Sequence, residues 1–396
     1  MRWHNSRMHP HSLTIAGAGI AGLACALAAS RRGLCASVHE RAASFSEVGA
    51  GIQLGPNAVR RLLAWGLDLE GRLQANVPER LQVLGAADAS ERGCLRLGDA
   101  AKARYGAPYA TVHRADLHAA LLQALREQAN VDLQLGQDLS WRSGRLCSGD
   151  QTFAPHALTV VADGVWSQLR SAVVNDGRPR WTGHVAYRAL ARMADLPAHW
   201  RTHQVTVWLG HDLHVVHYPV RGGEYLNAVL LVEAPQIQPS QDWDRAADAQ
   251  GVRDALRACH PRLQALADDC LAAGAQWRLW ALAGRTPVRG PHELVRDRVA
   301  LVGDAAHPML PYLAQGAGMA IEDAQALADA LAAETDVPMA LQAYAQARWQ
   351  RVARVQARAV RNGRIFHLRG PMAWARDAAM RIGGVAVLDV PWLYAG

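Results

Sequence analysis

None of the six cysteines (Cys25, Cys35, Cys94, Cys147, Cys259, Cys270) stands in a CxxC pair or a His/Cys cluster. That excludes the usual structural zinc patterns, so no metal centre is expected, and a reduced cytoplasmic protein is the simplest reading. No internal repeat and no low-complexity linker interrupts the 396 residues, a length suited to two or three domains. Charged residues make up only 19% against 50% hydrophobic, the balance of a soluble globular chain rather than a disordered one. Acidic residues are the scarcer sign, 35 against 42 basic, leaving a formal charge of +7. Much of the excess falls on Arg348, Arg351, Arg354, Arg358, Arg361 and Arg364, whose spacing makes one helical stripe that reads as a solvated face. Interleaved aromatics and a recognised nucleic-acid module are both missing, so no nucleic-acid partner is expected. A mildly positive surface suits anionic substrates or a reduced nicotinamide cofactor.

Charge is absent altogether from Leu13 to Ser30, "LTIAGAGIAGLACALAAS", which follows Arg2 and Arg7. Length and polarity alone suit a marginal membrane helix or a signal peptide. The glycines exclude both, since Gly17, Gly19 and Gly22 would each cost a helix about 1 kcal/mol. Leu13–Ala16 reads as a buried strand, while Ile20, Leu23, Ala24 and Leu27 recur at helical spacing. Strand, GxGxxG turn and helix form the context of a dinucleotide site, with no membrane span. "CASVHERA" supplies a second strand ending at Glu40, where a carboxylate can accept both ribose hydroxyls of an adenosine.

Further on, "PNAVRRLLAWG" continues as a helix, "ERLQVLGAADASERGCLRLG" as short strands, and "HRADLHAALLQALREQ" as a helix with Leu117, Leu121, Leu122 and Leu125 inward. Between Trp181 and Leu231 the period shifts towards two, predicting four antiparallel strands. A helical stretch follows, "DRAADAQGVRDALRACHPRLQALADDC", and the pattern from Gly316 onward is helical. Nucleotide-type pieces therefore flank a β-rich insertion, an α/β fold with interleaved domains. The expected division is 1–80, 103–178 and 285–335 for a discontinuous Rossmann-like domain, 81–102 and 179–284 for a substrate domain, and 336–396 for a C-terminal helical region. Two more apolar strands end in Asp163-Gly164 and Gly303-Asp304. One such pair is an ordinary turn signal; three strand ends of this kind, in this order, point to one flat cofactor.

Together these stretches resemble the three fingerprints of the single-component FAD-dependent aromatic hydroxylases, the p-hydroxybenzoate hydroxylase class, through most of the chain. "EVGAGIQLGPNAVRRLLAWGL", "HRADLHAALL", "HYPVRGGE" and "RNGRIFHL" are similar to salicylate hydroxylase, 3-hydroxybenzoate 6-hydroxylase and 6-hydroxynicotinate 3-monooxygenase. The resemblance implies an NAD(P)H-dependent monooxygenase that hydroxylates a small aromatic acid with O2 through a flavin C4a-hydroperoxide. It places Gly17, Gly19 and Gly22 at the FAD pyrophosphate, Glu40 on the ribose, Arg41 at the adenine end and Arg114 near the phosphate and ribityl region. Asp304 would hold the ribityl chain, Gly316 and Ala317 would offer N–H groups to the flavin, and the Asp163 stretch is tied to nicotinamide cofactor binding. With no second GxGxxG, NADH or NADPH would dock without a domain of its own.

His214 and Tyr218, on one strand face in "LHVVHYPV", are the expected base and orienting hydroxyl, with Pro311 beside the flavin and His217 structural or exposed. Gln53 replaces the histidine of the hydroxynicotinate enzymes, and Ala283-Gly284 replace the tyrosine-aspartate pair found in relatives. His307, without nearby metal-ligand spacing, has no expected metal role. The alternatives are a hydroxylase or epoxidase of a larger quinone, polyketide or alkaloid, or a flavin-binding protein without turnover. A homodimer is compatible with all of them.

Overall fold

The structure, a computed structural model, describes residues 12–45, 49–143, 145–153, 158–234 and 245–396. Arg2 and Arg7, with Glu47 and Val48 of the "EVGAG" stretch, lie outside the described residues. The uncharged run divides where its glycines predict, into strand Ser12–Ala16 and helix Ile20–Arg31. Gly17 adopts φ +98°, in the left-handed region, and a Cβ at Gly22 would sit 1.9 Å from the Gly17 carbonyl oxygen. Among the described residues no helix is long and apolar enough to cross a membrane.

A six-stranded sheet runs in the order Val295–Arg296, Val299–Leu301, Leu158–Val161, Ser12–Ala16, Cys35–Glu40, Val131–Leu135. Every pairing except the first is parallel. The strands preceding Gly303, Asp163 and Gly17, and the strand ending at Glu40, are thus consecutive neighbours. Their carboxyl ends share one edge, where open α/β sheets bind ligands. Helices Ile20–Arg31, Arg114–Arg126 and Gly316–Ala333 cover this sheet, and Leu117, Leu121, Leu122 and Leu125 are buried in its core.

The second sheet has eight strands in the order Arg245–Ala246, Arg278–Gly284, Arg180–Arg192, Tyr225–Glu233, Leu213–Val220, Val205–Leu209, Arg80–Gly85, Glu91–Arg96. All pairings are antiparallel except Val205–Leu209 with Arg80–Gly85. One face packs Trp200, Trp208 and Trp277 against helices Ala249–Leu256 and Pro261–Ala272. The single helical stretch expected there is two helices, because Pro261 begins a new one. The opposite face meets Leu310, Tyr312 and Phe366.

The arginine stripe of helix Val337–Phe366 departs from the expectation. Arg348 is buried, donating from Nη1 to Glu322 (2.6 Å) and from Nε to Asp323 (2.8 Å), and Arg351 clasps Glu322 from the other side. Helical spacing locates a stripe but cannot distinguish solvent from a neighbouring helix that carries carboxylates. Burial opposes ionisation of Glu322, yet Arg351, Arg348 and Arg61 outweigh it and hold the carboxyl at about 2. Asp323 also accepts the Gly303 N–H and pairs with His307, so the network fixes the Gly303-Asp304 turn and explains that histidine.

Arg348→Ala removes the cation shared by two buried carboxylates, leaving Glu322 to Arg351 and Asp323 to His307, and is expected to lower unfolding free energy by about 3 kcal/mol in urea titrations. Because the folded value of Glu322 lies below its ordinary 4.5, its stabilisation is complete above about pH 4.5. It is lost as pH falls through about 2, which thermal melts across that range would show.

Candidate functional site

The chain closes around the shared sheet edge with very small residues. A Cβ at Gly17 would lie 2.7 Å from the Ala162 carbonyl oxygen and 3.1 Å from Asp163 Cα, so the first and second turns touch. A Cβ at Gly303 would lie 2.7 Å from Ala21 Cβ, which brings the third turn against the first helix. One at Gly316 would be 3.9 Å from Asp304 Oδ1. Glu40 accepts the Ala18 N–H from inside the glycine turn and the Ala42 N–H beyond it, both at 2.9 Å. Arg41 is exposed next to it. His118 reaches the Ala18 carbonyl at 2.8 Å, tying helix Arg114–Arg126 to the same turn.

These contacts leave a recess with the properties of a dinucleotide cradle. Among the described residues, chain neighbours apart, no atom lies within 4 Å of a Cβ built at Gly19, and neither Ile20–Arg31 nor Gly316–Ala333 has a side-chain cap on its N-terminal N–H groups. Two helix starts with uncapped donors favour anionic or carbonyl oxygens. Gly316 and Ala317 remain partly accessible although their helix is buried along most of its length. Asp304 is reached by solvent yet enclosed by protein, as a group lining a deep cleft is. That enclosure pushes its carboxyl up, against His307 and the guanidinium of Arg114. Asp163 is likewise pushed up by burial, and its Oδ1 is buried without a hydrogen-bond partner among the described residues. Strand ends, glycine turns and an orphaned carboxylate oxygen fit FAD.

Facing this recess is the second sheet. His214, Val216 and Tyr218 share the face turned towards the 308–315 loop, while His217 points the other way. It is buried between Trp200 and Trp208 and pushed down to about 3 by burial, Arg262 and His199. His214 is 2% exposed, and its ring lies 5.2 Å from that of Tyr312, the neighbour of Pro311. Burial, then His367 and His184, hold it well below the ordinary imidazole value, so it is neutral and, taken alone, a weak base. Tyr218 stands about 13 Å along the same strand. Its hydroxyl bonds the Gln53 side chain, which accepts from Tyr109 at 2.8 Å, and burial raises its pKa. The structure thus places His214 and Pro311 at one end of this face and Tyr218 with Gln53 at the other.

Sequence reasoning missed several partners. Arg188 is in register with Val229, which is in register with Val216, so its guanidinium belongs to the face between His214 and Tyr218. It lies over the Trp280 ring, 5.5 Å from the centroid, and is buried. The alternation of His184, Ala186 and Arg188 was a legible signal that this strand has a polar inner face. Arg170, just after the Asp163 turn, donates to the carbonyls of Ala305 (2.8 Å) and Ala306 (2.6 Å), joining two fingerprints. His367 contacts His214 from 153 residues away, a partnership that no local pattern encodes.

The sequence model of the FAD binding domain family matches residues 11–359. The chain is 36% identical over 398 residues to 3-hydroxybenzoate 6-hydroxylase 1 of Aquipseudomonas alcaligenes, covering 98% of each. It is 34% identical over 395 residues to the 3-amino-4-hydroxybenzoate 2-monooxygenase PtmB3 of Streptomyces platensis, covering 99% of this chain and 97% of that one. Its fold resembles the crystal structure of Klebsiella pneumoniae HpxO complexed with FAD and uric acid. That likeness has a TM-score of 0.80 at 23% identity and covers 96% of this chain and 95% of HpxO.

Glu40→Ala removes the carboxylate that spans the glycine turn. It is expected to weaken FAD binding by about tenfold to a hundredfold in a flavin-fluorescence titration, the scale of a lost charge-assisted hydrogen bond or two.

Proposed function

Because this chain belongs to the FAD binding domain family, we propose that it hydroxylates a hydroxybenzoate-type aromatic acid with FAD, NADH or NADPH, and O2. The observation that carries the substrate class is the composition of the inner sheet face: a buried guanidinium, Arg188, between a neutral imidazole, His214, and a phenol, Tyr218. A carboxylate pairs best with a planar, partly desolvated guanidinium, and a ring hydroxyl needs a proton acceptor. Between them the floor is apolar, made of Val216 and its register partner Val229. The hydroxybenzoates in the names of the two relatives are of this kind.

In this reading Gly17, Gly19, Gly22, Glu40, Arg114, Asp304, Gly316 and Ala317 hold FAD, which when bound and reduced supplies the activation of O2. His214 takes the phenolic proton, raising electron density on the ring carbon that will be oxygenated. Arg188 fixes the carboxylate, and Tyr218, itself oriented by Gln53 and Tyr109, sets the ring's direction. The loop carrying Pro311 and Tyr312 lies over the His214 end of this face and excludes water. NAD(P)H docks in the same cleft near the Asp163 turn. Six unpaired cysteines suit work in a reducing compartment, the cytoplasm.

A panel of hydroxybenzoates should stimulate NAD(P)H oxidation and yield hydroxylated product; a purified protein whose oxidation ignores every member of the panel defeats the proposal. His214→Ala is expected to retain FAD and lose about a hundredfold in hydroxylation rate, with peroxide released instead. Arg188→Met should raise KM for carboxylate substrates by about tenfold or more while sparing phenols without a carboxylate.

A further inference from the structure

A second proton is disfavoured on His214 where it stands. Burial and two neighbouring imidazoles disfavour a cation there, so a base at this position needs somewhere to pass the charge. The surrounding residues supply a path. His214 Nδ1 is 3.0 Å from His367 Nε2, and His367 Nδ1 is 3.3 Å from Glu233 Oε1. His214 and Leu231 are cross-strand partners, so Glu233, two residues further, returns to the same face at the sheet's rim. The Glu233 side chain is 42% exposed, against 2% for that of His367. A buried ring is therefore joined to water in two hydrogen bonds.

The flanking groups hold this line in place without interrupting it. His184, the register partner of Glu233, stacks on His367 with centroids 5.5 Å apart and a 28° interplanar angle. Its own Nδ1 is occupied by the Tyr312 hydroxyl at 2.7 Å. Phe366 packs edge-on to His214 at 5.3 Å. Asp212 and Arg369 form an ion pair at the rim, and Asp212 adds to the negative field that Glu233 sets up at His367.

We infer that His214, His367 and Glu233 form a proton relay that carries the substrate's phenolic proton from the buried face to solvent, an inference that rests on the hydroxybenzoate reading above. In the resting state His214 carries its proton on Nδ1 and His367 on Nδ1, each donating outward. The phenol O–H bond breaks as His214 Nε2 takes the proton, the His214 Nδ1 proton moves to His367 Nε2, and the His367 Nδ1 proton moves to Glu233. Each imidazole stays neutral and changes tautomer; one proton has left the substrate and one has reached the rim. The reverse sequence returns a proton when the oxygenated ring regains its hydroxyl. No redox partner is needed. His367 and Glu233 act through His214 and do not touch the ring.

Proton release on mixing FAD-loaded enzyme with 3-hydroxybenzoate, without NAD(P)H, can be followed by an indicator dye in unbuffered solution, alongside the ultraviolet signal of the bound phenolate. Glu233→Gln keeps a hydrogen-bonding side chain at the rim but ends proton export, and release should slow about tenfold while FAD content and substrate affinity stay within about twofold. His367→Ala should slow release further and recover with added imidazole, which a merely structural loss would not. Release and phenolate formation at the parental rate in both variants overturns the relay while leaving the hydroxylase reading intact. A parent enzyme that neither binds nor hydroxylates any hydroxybenzoate overturns the reading beneath it instead.

Discussion

The carbonyl oxygen of Gly17 occupies the space that a side chain at position 22 would need, and the rest of the nucleotide site follows from that contact. Close approach of the helix start to the strand end aims the first turn of Ile20–Arg31 at the sheet edge. It also leaves room for the Asp163 and Gly303 turns to press in from the neighbouring strands. A Cβ at Gly17, Gly22 or Gly303 would push these turns apart. Those three glycines are thus a packing requirement first, and the accessible N–H groups at the edge are its consequence.

The third turn has a second support, built of charge. Asp323 binds the Gly303 amide and His307 from below, and Arg348 and Arg351 neutralise it and Glu322 from helix Val337–Phe366. Asn57 donates to Glu322 and to Gln315, extending the network to the start of helix Gly316–Ala333. The loop between, with Pro311 and Tyr312, is therefore anchored at both ends. It covers the second sheet with fixed geometry rather than as a loose flap. A buried network of this kind is costly to break and ties the cofactor turn to the substrate face.

That face divides its labour along one strand. At the Tyr218 end, hydrogen bonds run through Gln53 and Tyr109 into the first domain's side of the cleft; at the His214 end, they run outward through His367 to Glu233. Apolar valines separate the two. Orientation and proton handling are thereby kept apart at the two ends of one strand face, and the helices on the far face need carry no chemistry at all.

Spacing by itself settled the strand–turn–helix at Leu13–Ser30, the second strand ending at Glu40, the antiparallel run through "LHVVHYPV" and the His214/Tyr218 face. All are set by interactions over a few residues, where period and backbone sterics leave little choice. The fate of Arg348 and Arg351, the burial of His217, the place of Arg188 between the two polar side chains and the contact of His367 with His214 were decided only when distant segments met. An arginine stripe or a lone histidine has the same local pattern in water and against a carboxylate. Only the long-range packing that sets its solvent and its neighbours fixes which it becomes.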